Sequence, residues 1–99
     1  MKSKKALAAL SALAQESRLS VFMMLMQNNN GLTAGDIATE LQVPLTTMSF
    51  HLSQLKTAGL VDSRKEGRFV IYTANRKKAK KLASFIACKE PIIDSKYQL

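Results

Sequence analysis

Thr46, Phe50, Ser53 and Thr57 fall on one side of a helical wheel turned by about 100° per residue, with Thr47, Ser49 and Gln54 on its shoulders. Met48, Leu52 and Leu55 take the opposite side. The first set carries no charge, whereas a helix face left to water usually contains Lys and Glu. Hydroxyls and an amide suit hydrogen bonding to base edges and phosphate oxygens in a major groove. Phe50 fits such a surface because an aromatic ring can contact a thymine methyl group; the alternative is that it packs under the N-terminal arm or against another subunit. Just downstream, Arg64, Lys65 and Arg68 form a second cluster, able to place cations on phosphates or in an adjacent minor groove. His51 lies at the edge of the apolar stripe, where a packed, hydrogen-bonded histidine outranks a phosphate contact.

The elements that position these groups follow from periodicity and capping. A first helix is expected over about Ser3 to Ala14, with Leu7, Leu10, Leu13 and five alanines as its apolar surface. A second, central helix is expected over Ser17 to Gln27, with Leu19, Phe22, Met23 and Met26 in helical register and Val21, Met24 and Leu25 widening the apolar face. Asn28 to Gly31 ends it. Thr33-x-x-Asp36 has capping-box spacing and starts a third helix whose inner face is Ala34, Ile37, Ala38 and Leu41. Pro44 then occupies the first turn of the fourth helix, which runs to about Ala58 and ends at Gly59. Two short helices joined by a tight turn make a helix-turn-helix over about residues 34–58.

From Leu60 the period shortens. LVDSR and RFVIYTA read as two strands flanking a turn at Lys65-Glu66-Gly67, giving a hairpin over about 60–74 with the basic cluster at its tip. Asn75 caps a last helix from Arg76 to about Cys88, with Ala79, Leu82, Ala83, Phe85 and Ile86 as its apolar side, and Pro91 limits its extension. The tail from Ile92 to Leu99 shows no usable period. Without repeats or Pro/Gly-rich linkers, residues 1–99 read as one domain.

The net charge of +8 is unevenly spread. Residues 17–61 balance, while Lys2, Lys4, Lys5 and eight basic residues between Asp62 and Lys81 carry the excess. Localised positive charge in a small domain favours a polyanion partner, most often nucleic acid. The run Arg76 to Lys81 opposes its own helix dipole; it reads as a solvated charge run, a flanking phosphate contact, or a site for an acidic effector or protein partner. MKSKKALAALSALA imitates a signal peptide, but Ser11 and Gln15 interrupt it and an amphipathic helix continues through it. No apolar run approaches the roughly 20 residues of a membrane span, and a single cysteine excludes an intramolecular disulfide framework, so the cytoplasm is the expected compartment.

Together, ALAQESRL (Ala12 to Leu19), GLTAGDIATEL (Gly31 to Leu41), TTMSFHLSQLKTAGLV (Thr46 to Val61) and EGRFVIYTA (Glu66 to Ala74) resemble the ArsR/SmtB family of winged helix-turn-helix repressors. The similarity covers about residues 6–87. It implies a mainly α fold of five helices with a β-hairpin wing, and a homodimer joined through the first and last helices. It further implies binding to an imperfect palindrome in double-stranded DNA and release by a signal. The resemblance carries DNA contact onto Leu45, Thr46, Thr47, Ser49 and Phe50, and onto Arg64, Lys65 and Arg68 of the wing. Pro44 and Leu45 stand where many members have Ser and Gln.

Metal-sensing members carry cysteines in the third helix, in a pattern like ELCVCDL; here Gly31 to Ile37 contains no thiolate. Another family site takes Asp and His from the last helix, yet the only histidine is His51. Glu90 and Asp94 alone suit a transition metal poorly. No metal and no cofactor are therefore expected. Some arsenic-responsive members that share Ser-Phe-His-Leu bind through cysteines near the end of the last helix, where Cys88 lies. One cysteine per chain cannot build a three-thiolate site. Cys88 is read as an inert thiol or an oxidation-sensitive one that admits a redox or small-molecule effector. The leading expectation is a DNA-binding repressor; the alternative is a winged-helix module that uses Phe50 to hold another protein. An enzyme is disfavoured, because no paired carboxylates or phosphate loop occur and His51 and Cys88 sit on separate elements.

Overall fold

A computed structural model describes residues 1–88; Glu90, Pro91, Asp94 and the tail from Ile92 lie outside the described residues. The chain folds as α1 (Ser3–Leu13), α2 (Glu16–Met26), α3 (Ala34–Leu41), α4 (Leu45–Thr57), β1 (Val61–Glu66), β2 (Phe69–Ala74) and α5 (Arg76–Ile86). Five helices and a two-stranded antiparallel hairpin are the expected winged architecture. Val21, Leu25, Ile37, Met48, Leu52, Leu55, Leu60 and Val61 form the fully buried centre, so every element from α2 to β1 contributes to one core.

Each of the two N-terminal helices buries one part of the broad apolar surface expected for it. In α1 the small residues Ala6, Ala9 and Ala12 turn inward, while Leu7 and Leu10 stay 52% and 40% exposed. The alanines let the α1 backbone approach its neighbours closely, whereas leucines at those positions would hold it away. In α2 the buried set is Val21, Phe22 and Leu25, with Leu19 and Met23 exposed. Both faces are apolar, so periodicity alone could not choose between them.

The helix-turn-helix is fixed by local chemistry. Thr33 Oγ1 accepts from Asp36 N at 3.0 Å and Asp36 Oδ2 accepts from Thr33 N at 3.3 Å, completing the capping box that starts α3. Gln42 adopts a left-handed conformation (φ 55°), which turns the chain so that Val43 N donates to Ala38 O at 3.0 Å. Pro44 is the residue that precedes α4 rather than part of its first turn. At the far end, Gly59 (φ 77°) closes α4 and directs the chain into β1.

The hairpin turn is Gly67-Arg68, one residue later than expected, with Glu66 paired to Phe69 and Lys65 to Val70. Gly67 has φ 60° and Arg68 stays outside the left-handed region, the pattern of a two-residue type II′ turn whose twist suits a hairpin. Leu32, in the loop before α3, bridges to Tyr72 through backbone bonds of 3.0 and 2.8 Å, adding a third extended segment to the wing. Beside it, Gly31 has φ 85° and passes so close to β2 that a Cβ there would lie 2.6 Å from Tyr72 O.

Asn75 ties the wing to the last helix. Its Oδ1 accepts from Lys78 N at 3.0 Å, capping α5, while its Nδ2 donates to Gly59 O at 3.1 Å. Arg76 Nη2 donates to Met26 O at 2.6 Å, placing a cation at the negative end of α2. Of the apolar side expected for α5, Leu82 is buried and Ala79 and Phe85 are half-buried, but Ala83 and Ile86 face outward. The helix ends at Ile86, two residues before Cys88.

Candidate nucleic-acid interface

The buried face of α4 determines what its opposite face presents. With Met48, Leu52 and Leu55 sealed into the core, Leu45, Thr46, Thr47, Ser49, Phe50 and Ser53 are all exposed. Six of the seven α4 residues assigned to DNA contact thus share an open surface. Gln54 is half-buried and lines a shallow hollow with Ala8, Ser11, Arg18 and Thr57, so it sits apart from the other six.

Phe50 is 55% exposed and covers no core. His51, one position on, is buried, and its Nδ1 accepts from Arg18 Nε at 3.4 Å. Burial, and secondarily the Arg18 charge, lowers the His51 pKa below the ordinary 6.5. The imidazole is therefore neutral at pH 7 and carries its proton on Nε2. The Arg18 guanidinium carbon also lies 5.8 Å from the Phe50 ring centroid, within cation–π range. Gln15 holds this arginine's backbone, its Oε1 accepting from Arg18 N at 2.8 Å. Arg18 thus links the start of α2 to the outer face of α4, a role invisible in the sequence, where its charge merely offsets an acid elsewhere.

On the wing, the three basic residues do not form one cluster at the tip. Arg64 lies opposite Ile71, its Nε 2.6 Å from Glu66 Oε2 and its Nη2 donating to Asn30 O at 3.0 Å. These contacts pin the wing to the loop before α3. Lys65 is exposed on β1, and Arg68 occupies the turn with its guanidinium 5.7 Å from the Phe69 ring centroid. Phe69 and Val70 are themselves exposed, so the tip presents apolar as well as cationic groups. Lys56 Nζ donates to Ser63 Oγ at 2.6 Å, joining α4 to the wing so that the two surfaces form one unit.

Residues 13–64 match a family model described as a helix-turn-helix domain. Over 84 residues the chain is 34% identical to the transcriptional activator HlyU of Vibrio cholerae, covering 85% of this chain and 76% of that protein. The chain belongs to the ArsR-like family of winged helix-turn-helix regulators. Among solved structures of the family, an ArsR-like transcriptional regulator from Rhodococcus sp. RHA1 superposes with a TM-score of 0.77 at 28% identity, over 87% of this chain and 79% of that one. A homodimeric winged helix-turn-helix DNA-binding domain from Mycobacterium bovis, a possible ArsR-family regulator, gives 0.71 at 30% identity over the same shares. The family is one of transcriptional regulators, not enzymes, and this member is a DNA-binding regulator.

In this ArsR-like chain, no group of three or more His, Cys, Asp or Glu side chains among the described residues is placed to hold a metal ion. Cys88 is a free, exposed thiol just beyond the end of α5. No helix among the described residues is long and apolar enough to cross a membrane.

Proposed function

We propose that the protein is a repressor that binds an inverted-repeat operator as a homodimer in the cytoplasm, acting through binding and not catalysis. The observation that carries this reading is the exposed face of α4, uncharged from Leu45 to Ser53 with Lys56 at its wing-side end, set against a fully buried opposite face and bonded to a cationic wing. Leu45, Thr46, Thr47, Ser49, Phe50 and Ser53 enter the major groove, hydroxyls to base edges and phosphates, Leu45 and Phe50 to thymine methyl groups. Lys65 and Arg68 reach the flanking backbone or minor groove. Arg64, held by Glu66 and Asn30, acts by orienting the wing.

Two-fold pairing comes from the apolar surface that α1 and α5 leave open. Leu7, Leu10 and Ile86 are 52%, 40% and 58% exposed, and α1 packs beside α5. A second copy would cover them, in keeping with the homodimeric relative. Two α4 helices related by two-fold symmetry then read two half-sites about one helical turn apart. Cys88, exposed beyond α5, is where an oxidant signal would enter.

Footprinting on the gene's own upstream region tests this reading. Two protected half-sites with inverted sequence are expected; protection no stronger than on random duplex would overturn it.

A further inference from the structure

The basic run Arg76 to Lys81 is not absorbed by the winged surface, and its members have different surroundings. Arg76 is bonded to Met26 O, and Lys77 and Lys80 are exposed. Lys78 and Lys81, three residues apart, line a hollow of about 380 Å³ whose other walls are Lys2, Lys5 and Met1. Lys2 and Lys5 are also three apart, at the start of α1. Two pairs of lysines from opposite ends of the chain therefore converge on one space.

Among the described residues no acidic side chain compensates this charge, and the C-terminal end of α4 offsets part of it at Lys78 alone. No carboxylate lines the hollow, and none of its four lysines forms an ion pair there. Neither α1 nor α5 has an acidic residue in its first turn, so the positive ends of both helices add to the same potential. Converging ammonium groups repel one another and gain most when a single multivalent anion neutralises several together. The volume falls within the range of small-molecule sites, roughly 300–1,000 Å³.

The position of the hollow separates it from the operator surface. Lys78 Nζ lies 3.5 Å from where a Gly59 Cβ would stand, at the C-terminal end of α4. The α4 N-terminus is about 20 Å away along a helix of 13 residues. The wing tip is about 20 Å away along six-residue strands. We propose that the cleft between α1 and α5 is a binding site for a small, phosphate-bearing polyanion, held by Lys2, Lys5, Lys78 and Lys81. Bridging the two helices assigned to the dimer, such a ligand would act as an effector. That consequence rests on the repressor reading, whereas the site does not.

The test uses the full chain at low salt, with tripolyphosphate as probe, citrate as a carboxylate comparison and random-sequence duplex as a backbone comparison. Calorimetry is run on wild type, Lys5→Gln/Lys81→Gln, and a charge-matched control, Lys77→Gln/Lys80→Gln, from the same exposed run. One tripolyphosphate per chain is expected, bound more tightly than citrate, with at least about tenfold loss in the hollow variant and less than about twofold in the control. Amide shifts of the wild type should concentrate in residues 2–6 and 76–82, a readout independent of how any variant folds. Absence of saturable binding, equal losses in both variants, or citrate binding as tightly as tripolyphosphate would overturn the proposal. So would an equal loss of duplex and tripolyphosphate affinity in the hollow variant, which would make the lysines a DNA contact. Failure of operator binding with this pattern intact would refute only the repressor reading.

Discussion

Replacing Phe50 with alanine separates a DNA-facing ring from a core one. The ring is 55% exposed, so of the roughly 200 Å² that a phenylalanine can bury, about 110 Å² is still open to water in the free protein. Covering that area in a groove at about 25 cal/mol per Å² gives an upper bound near 2.8 kcal/mol per ring. Incomplete contact brings this to roughly 1–2 kcal/mol per half-site, so with one ring in each half-site the dimer proposed above should lose about 30- to 1,000-fold in affinity for the specific site. Stability should fall by under about 1 kcal/mol, because the ring covers no core and meets the Arg18 guanidinium, at cation–π distance, and the tilted His51 ring. No charge is removed, so the dependence of log affinity on log salt should keep its slope. Fluorescence anisotropy on an operator duplex over a salt series, paired with thermal unfolding, measures all three quantities. A large drop in melting temperature with unchanged DNA affinity would refute the reasoning and return Phe50 to a packing role. Loss of a protein complex with DNA affinity intact would favour the interaction-module alternative.

Arg68→Ala should reduce the salt slope by about one per protomer, about two for the dimer proposed above, and weaken specific and random duplex alike, since a phosphate contact carries no sequence information. Arg64→Ala, by contrast, should raise the amide exchange of residues 62–72 by loosening the wing from Asn30; an unchanged exchange pattern would contradict that anchoring role. Because the His51 pKa is lowered on folding, the unfolded chain binds more protons below pH 6.5, so this group contributes stability above that pH that is lost as pH falls through its folded value. His51→Gln should flatten that part of the stability–pH curve, and an imidazole NMR titration with a midpoint at or above 6.5 would exclude the mechanism. Gly31→Ala forces a methyl group against Tyr72 O at a positive φ and should cost about 1–3 kcal/mol, seen as a lower unfolding midpoint; no change would mean the bridge to the wing is slack.

Elements with local determinants were legible in the sequence. The Thr33–Asp36 capping box, the Asn75 cap, Gly59 and the wheel of α4 each depend on residues a few positions apart, and each lies where expected. Choices between two apolar faces were not legible, because Ala6, Ala9 and Ala12 bury better than Leu7 and Leu10 only when the neighbouring helices are in place. The hairpin turn moved by one residue because Gly67 supplies the positive φ at the first central position, not at the last. The long-range contacts escaped altogether: Arg18 with His51 and Phe50, Arg64 with Asn30, and the meeting of Lys2 and Lys5 with Lys78 and Lys81. None of these leaves a periodic trace.

Whether α4 and the wing read a particular DNA sequence decides the functional reading most directly. Anisotropy titration of the full chain at near-physiological salt, on its own upstream duplex and on a shuffled duplex of equal length and composition, measures that property. A preference of about 10³ or more for the upstream duplex is predicted. Equal affinities for the two duplexes would contradict it.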